Sequence, residues 1–163
     1  MSIGLHPSTE TRKLGDRVAG TEDRRNDTQG DTAMASNLSL EEMKQFVRHQ
    51  FEEFVNKKNA EMIRENLTAD FYDHDGPGGK PTGVEGDLKM MLGMYEKMPD
   101  LHVTIEDMIA EGDKVMCRNI WRWTDLGTKK RMQFRGFVLW RFEGDKIAER
   151  WATVTPPSEA VDH

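Results

Sequence analysis

Cysteine is almost missing from this sequence, where Cys117 stands alone. That excludes an internal disulfide framework, and a lone thiol fits a reducing compartment, so the expected location is cytoplasmic. Long apolar runs are missing as well. Nothing is long enough to span a bilayer and no signal-peptide core follows Met1, so no membrane is expected as a partner. Positive charge is in deficit: 23 Lys and Arg face 29 Asp and Glu, and a net charge of -6 argues against nucleic acid as a partner. Familiar reactive motifs are lacking too. No His/Cys/Asp/Glu spacing resembles a zinc site, no glycine-rich phosphate loop precedes a helix, and no serine elbow is present. The simplest expectation is a site that needs neither cofactor nor metal.

Aromatic residues are absent from residues 1–37, which mix charges with Gly, Thr, Asn and Asp. Such a stretch cannot bury enough apolar surface to offset the entropy of ordering it, so it reads as a disordered polar tail. The single folded domain then covers residues 38–157, with residues 158–163 as a short C-terminal tail. Its start is marked by Ser39 and Glu42, spaced as a capping box. Behind them Met43, Phe46, Val47, Phe51, Phe54 and Val55 recur at helical spacing. A second helix is predicted over residues 60–67, and a short extended piece, residues 68–75, runs into the loop Gly76-Pro77-Gly78-Gly79-Lys80-Pro81. Thr82 and Glu85 suggest another capping box, opening a third helix that Pro99 stops.

The last third of the chain carries Glu-Gly-Asp-Lys twice, at residues 111–114 and 143–146. Each copy lies between runs of β-branched and aromatic residues, and Gly reaches the positive φ of a tight hairpin turn. Strands are therefore predicted over residues 101–110, 115–124, 132–142 and 147–155. The fold class is α+β: a cone-shaped, curved antiparallel sheet packed against N-terminal helices. With the Gly-Asp pairs and Gly127-Thr128 as turn centres, Ala110 pairs with Val115, Met108 with Cys117, Trp121 with Phe134, Trp140 with Glu149 and Val138 with Trp151. One sheet face then holds all four tryptophans with His102, Thr104, Glu106, Asn119, Phe134, Glu149, Thr153 and Thr155. The other holds Val103, Ile105, Asp107, Phe137 and Leu139 with Arg118, Arg122, Arg135, Arg141 and Arg150. A single bulge would exchange part of either set.

The first face has the composition of a ligand cavity for a hydrophobic small molecule: apolar walls and few polar groups. Asn119, Trp121, Phe134, Trp140, Trp151, Thr153 and Thr155 are the candidate ligand contacts. The arginine-bearing face suits a homodimer interface, or else is an ordinary half-solvated surface with an Asp107–Arg118 ion pair. His74 and Asp75 are candidate catalytic residues, because imidazole exchanges protons near neutral pH and a neighbouring carboxylate can orient it. His74 could equally do no more than cap the loop. Glu149 is the third catalytic candidate, as a carboxylate whose pKa an apolar cavity would raise; its alternative is a structural carboxylate bonded to Asn119 or an indole. Met90, Met91, Met94 and Met98 read as adaptable packing that would also suit an irregular ligand.

Taken together, Asp70-Phe71-Tyr72-Asp73-His74-Asp75 with Pro77-Gly78, then Gly83, Met98-Pro99-Asp100-Leu101, residues 105–115, Arg118, and residues 141–151 resemble the SnoaL-like polyketide cyclase and ester cyclase group of the nuclear-transport-factor-2-like superfamily. The resemblance spans about residues 40–155. It implies a cystatin-like α+β cone, usually dimeric, with a cavity between sheet and helices. It also implies cofactor-free ring closure, isomerisation or related acid/base chemistry on carbonyl compounds. Where those cyclases carry an acid/base Asp, four residues after the Trp of Glu-x-Trp, this chain has Thr155. A non-catalytic ligand-binding or stress-response domain is therefore the alternative to an enzyme.

Overall fold

The computed structural model describes residues 35–161. The expected polar tail lies outside them as far as residue 34. Residues 36 and 37, expected in that tail, are instead held: the Asn37 amide and the Ser36 hydroxyl both donate to the Gly144 carbonyl, at 2.8 and 3.2 Å.

Helix α1 (Leu40–Gln50) opens on the predicted capping box, with Ser39 and Glu42 bonding reciprocally. It runs directly into a π-helical segment, Phe51–Asn56, where the Lys57 amide reaches back five residues to the Glu52 carbonyl at 2.9 Å. The wider turn brings Phe51, Phe54 and Val55 to one buried side. Asn56 ends the segment by exchanging two hydrogen bonds with the Val103 backbone, 2.8 and 3.2 Å, which satisfies a strand at the edge of the sheet. A short helix α2 (Met62–Asn66) leads into β1 (Leu67–Asp73).

Helix α3 (Val84–Lys97) starts differently from expectation. Gly83 is its N-cap and no side chain caps it. The backbone of Thr82 is bridged to Asp73 at 2.8 and 2.9 Å, and Glu85 pairs with Arg64 in place of the predicted box. Thr82 packs so closely on α3 that a Cβ at Gly86 would lie 1.7 Å from its hydroxyl. Strands β2 (His102–Glu111), β3 (Lys114–Thr124), β4 (Arg131–Glu143) and β5 (Lys146–Val154) form the predicted meander. Gly112 and Gly144 both take φ 59°, the conformation for which glycine suits these turns.

The sheet order is β1-β5-β4-β3-β2. It is mixed and not purely antiparallel, because β1 pairs with β5 in parallel. Ser158–Glu159, expected in the C-terminal tail, form a sixth strand on β4 opposite Met132 and Gln133. The helices cover one sheet face, and Phe51 packs edge-on against Trp121 and Trp140 at 6.0 and 5.1 Å, joining helix to sheet in one core. Among the described residues no helix is long and apolar enough to cross a membrane.

Registers decide which side chains enter that core. The β3–β4 ladder is as predicted, with Trp121 opposite Phe134 and Asn119 opposite Gly136. Two irregularities change the rest. On β2 the register shifts between Ile105 and Asp107, so Val103 and Ile105 pair with Trp121 and Asn119 and join the inner face. On β4–β5 it shifts between Arg141 and Phe142, so Glu149 faces Arg141 and Trp151 faces Leu139. An extra residue reverses inside and outside for everything beyond it. The expected inward placement of Glu149, Trp151, Thr153, His102 and Thr104 is thereby corrected, and so is the outward placement of Arg150.

Candidate active site

A cavity of about 250 Å³ lies between the sheet and α1, the π-helical segment, β1 and α3. Its walls are mainly aromatic and methionine side chains, including Phe51, Phe54, Phe134, Met90, Met91 and Met94. Trp121, Phe134 and Trp140 line it as expected from the strand pattern, and Asp75 stands on its lining too. Such a cavity suits an apolar ligand oriented by a few polar groups.

Those groups come from the end of β1, the first turn of α3 and the repositioned β5. Asp73 is fully buried. Its carboxylate accepts from the Asp75 amide at 3.0 Å and from Arg150 Nη1 at 2.7 Å. Asp87, only 6% exposed, sits on the side of α3 that faces the cavity, beside the Asp73 carboxylate. Burial, the negative charge of Asp73 and hydrogen bonding between the two side chains push Asp87 from 3.8 up to about 7, against the opposing pull of Arg150. One oxygen of Asp87, Oδ1, is buried without a hydrogen-bond partner among the described residues. Asp75 sits nearer the surface and accepts from the Ala152 amide through Oδ2 at 2.8 Å. The site thus combines Asp87, raised to about 7, the Asp75 carboxyl nearer the surface, and Arg150 paired with Asp73.

The other predicted site residues lie elsewhere. Parallel pairing with β5 puts Tyr72 opposite Glu149 and Asp73 opposite Arg150, so alternation sends Asp73 inward and His74 outward. His74 and Glu149 do meet, with Nε2 to Oε2 at 2.7 Å, but on the outer face. The imidazole stacks on Trp151 at 4.4 Å and meets Tyr72 edge-on at 4.6 Å. Burial alone would raise the Glu149 pKa, but hydrogen bonds from His74 and Arg141, the latter at 2.6 Å, outweigh it and hold Glu149 low. Asn119 points inward yet is sealed in the core, accepting from the Trp121 indole at 2.9 Å. Thr153 is exposed, and Thr155 accepts from the Arg135 amide at the sheet surface, 3.0 Å. None of His74, Glu149, Asn119, Trp151, Thr153 or Thr155 lines the cavity.

Asp87 and Arg150 were missed by the sequence reasoning, and Asp73 was noted only within a motif. For Asp87 a signal exists: it lies between Val84 and Met91 on the buried stripe of α3, three and four residues from them. An acid on an apolar stripe needs a reason. Among the described residues no group of three or more His, Cys, Asp or Glu could hold a metal ion.

Comparison with known proteins agrees with this architecture. The profile of the SnoaL-like polyketide cyclases matches residues 45–154. The chain belongs to that family. Among solved structures, a proposed polyketide cyclase from Bacillus cereus ATCC 10987 is 28% identical with a TM-score of 0.62, covering 77% of this chain and 85% of its own. IdmH from Streptomyces antibioticus, also a proposed polyketide cyclase, is 25% identical with a TM-score of 0.62 over 68% and 90% of the two chains. AclR from Streptomyces galilaeus, described as a hydroxylase candidate, is 21% identical with a TM-score of 0.65 over 72% and 91%, a likeness of fold alone. No match is found among the curated proteins. Within this SnoaL-like chain Thr155 stands where the resemblance implied an acid, and Asp87 is a carboxyl side chain on the cavity wall.

Proposed function

We propose that this SnoaL-like protein is an acid/base catalyst acting on a neutral, hydrophobic carbonyl compound, by ring closure or isomerisation through an enol. The carrying observation is Asp87: a buried carboxyl on the wall of an apolar cavity, raised from 3.8 to about 7 by burial and by the neighbouring Asp73. A carboxylic acid so placed donates to a carbonyl oxygen. Asp75 takes a proton from the carbon next to that carbonyl while Asp87 gives its proton to the oxygen. In ring closure the enol carbon attacks a second carbonyl, forming one C–C bond. The enol O–H proton returns to Asp87, and the proton held by Asp75 passes to the new alkoxide. Arg150 donates to Asp73 and not to Asp87, which supports Asp87 as the member of the pair that carries the proton. Two carboxylates against one guanidinium disfavour an anionic substrate. This chemistry draws on side chains alone, and a lone buried Cys117 suits work in the cytoplasm.

Incubation with 2-acetylnaphthalene in D₂O tests the reading, with exchange at the acetyl methyl followed by NMR. Exchange above the buffer rate is expected. It should fall on the order of 10²-fold in Asp87→Asn, a typical size for a lost general acid. Undiminished exchange in that variant refutes Asp87 as the acid. Binding without exchange favours the second reading, a ligand-binding domain without catalysis, for which Thr155 speaks.

We also propose that two copies pair through the outer sheet face. That face exposes Phe137 at 52% and Ile109 at 68%. It carries both charges, with Arg118 bonded to Asp107 and Glu106 at 2.8 Å each, so one copy can complement another across a two-fold axis. Phe137→Glu should convert a dimer to a monomer in sedimentation equilibrium, and a monomeric wild type at micromolar concentration refutes the pairing.

A further inference from the structure

Gln50 is the other polar side chain on the cavity wall, and the chemistry proposed above does not use it. It ends α1 at the junction with the π-helical segment and is only 7% exposed. Its Oε1 accepts from Asn66 Nδ2 at 2.6 Å. That bond fixes the amide, because a carboxamide whose oxygen is taken presents its two N–H donors on the other side. Gln50 Nε2 makes no hydrogen bond among the described residues and is not one of the sealed, unpartnered atoms, so it opens to the cavity space. A buried donor left this way is costly unless something accepts from it.

Its place in the cavity is what gives it meaning. Asn66 immediately precedes β1, whereas Asp73 and Asp75 lie at and just beyond its other end. A strand advances roughly 3.3 Å per residue, so the Gln50 amide and the acid pair stand toward opposite ends of the same wall. Between them the walls are apolar.

We infer that Gln50 is a specificity-determining donor, and that the substrate is an elongated apolar molecule carrying a hydrogen-bond acceptor at each end, one for Asp87 and one for the Gln50 amide. Asn66 is then a positioning residue, which acts by holding Gln50. The inference rests on the proposed cavity being the substrate site, and it is separate from whether Asp87 moves a proton.

Calorimetric titration of wild-type protein with 2-acetylnaphthalene and with 2,6-diacetylnaphthalene tests it. The first offers one carbonyl and the second two, at opposite ends of the same rings. About a tenfold preference for the second is expected, the size of one net hydrogen bond. Gln50→Met should erase the preference while leaving the affinity for 2-acetylnaphthalene within about twofold, and Asn66→Ala should reduce it. A ratio between two ligands does not respond to general loosening of the fold, so it separates recognition from a structural role. Circular dichroism of each variant checks that it is folded. Equal affinities in the wild type, a preference that survives Gln50→Met, or binding of neither ketone overturns the inference. Equal affinities alongside methyl exchange that depends on Asp87 sink Gln50 alone, and a Gln50-dependent preference without any exchange sinks the acid alone.

Discussion

Replacing Asp87 with Asn should make the protein more stable at neutral pH, by an amount that grows with pH. Asp87 is raised from 3.8 to about 7, first by desolvation and then by the neighbouring Asp73 carboxylate and hydrogen bonding between the two. The sign follows from proton counts. Below about pH 4 the side chain is protonated whether the chain is folded or not, so it adds no pH dependence there. Between 3.8 and about 7 the unfolded chain has released the proton that the folded chain still holds, and the wild type loses stability as pH rises. Above about 7 both states have released it and the loss levels off. Each pH unit in that window is worth about 1.4 kcal/mol, which gives at most on the order of 4 kcal/mol across the whole interval. Asn cannot ionise, so the variant escapes the loss. Urea unfolding of both proteins at about pH 5 and about pH 8 measures the difference. The variant should gain more at the higher pH. A gap that stays flat or shrinks with rising pH would show that Asp87 is ionised in the folded protein, and the proposed acid would go with it. The same substitution abolishes the proposed chemistry, so stability gained and activity lost should come together, as is usual where a site stores unfavourable electrostatics.

Arg150→Met leaves the buried Asp73 without its guanidinium and should cost about 3–5 kcal/mol at neutral pH, measured by denaturation. It should also move any pH–rate profile governed by Asp87 upward, because Arg150 is the group that opposes its rise. His74→Phe keeps an aromatic ring against Trp151 but loses the bond to Glu149. Methyl exchange should stay within about twofold of wild type and stability within about 1 kcal/mol, since partly exposed ion pairs contribute little; a large loss of exchange would return His74 to the site. Gly86→Ala brings a methyl group against the Thr82 hydroxyl and should cost about 1–3 kcal/mol in thermal or urea unfolding, with Thr82→Ala recovering part of the loss. No loss would mean that the loop before α3 moves away freely.

Much of the architecture could be read from local chemistry. Ser39 and Glu42 start α1 because the capping signal is complete within four residues. The Gly-Asp turns at Gly112 and Gly144 set the first pairs of their hairpins, because a tight turn leaves few registers open. The pairings beyond those turns depended on counting in twos, and that count fails silently at a bulge. Between Arg141 and Phe142 the shift moved Glu149 out and Arg150 in, so the face assignment of nearly all of β5 was reversed. The adjacent buried residues Ile147 and Ala148 were the visible hint, since a regular strand does not bury two neighbours on one face. The parallel pairing of β1 with β5, which sends His74 outward and Asp73 inward, is a long-range contact that no local pattern encodes.

The two helical site residues that escaped notice share one property. Asp87 falls on the buried stripe of α3 and Gln50 on that of α1, three residues after Val47 and four before Phe54. Helical periodicity rests on the apolar positions that recur, and a polar residue in register reads as an interruption. Physically it is the reverse. A helix that buries Asp or Gln on its packing face forgoes the burial of an apolar side chain there and adds the cost of desolvating a polar one. In this chain Asp87 lies beside Asp73, with Oδ1 buried and unpartnered among the described residues, and Gln50 is held by Asn66. Both residues line the same cavity. Polar residues in phase with an apolar stripe therefore locate the cavity in this sequence better than His74 does, although His74 is the residue whose chemistry draws the eye.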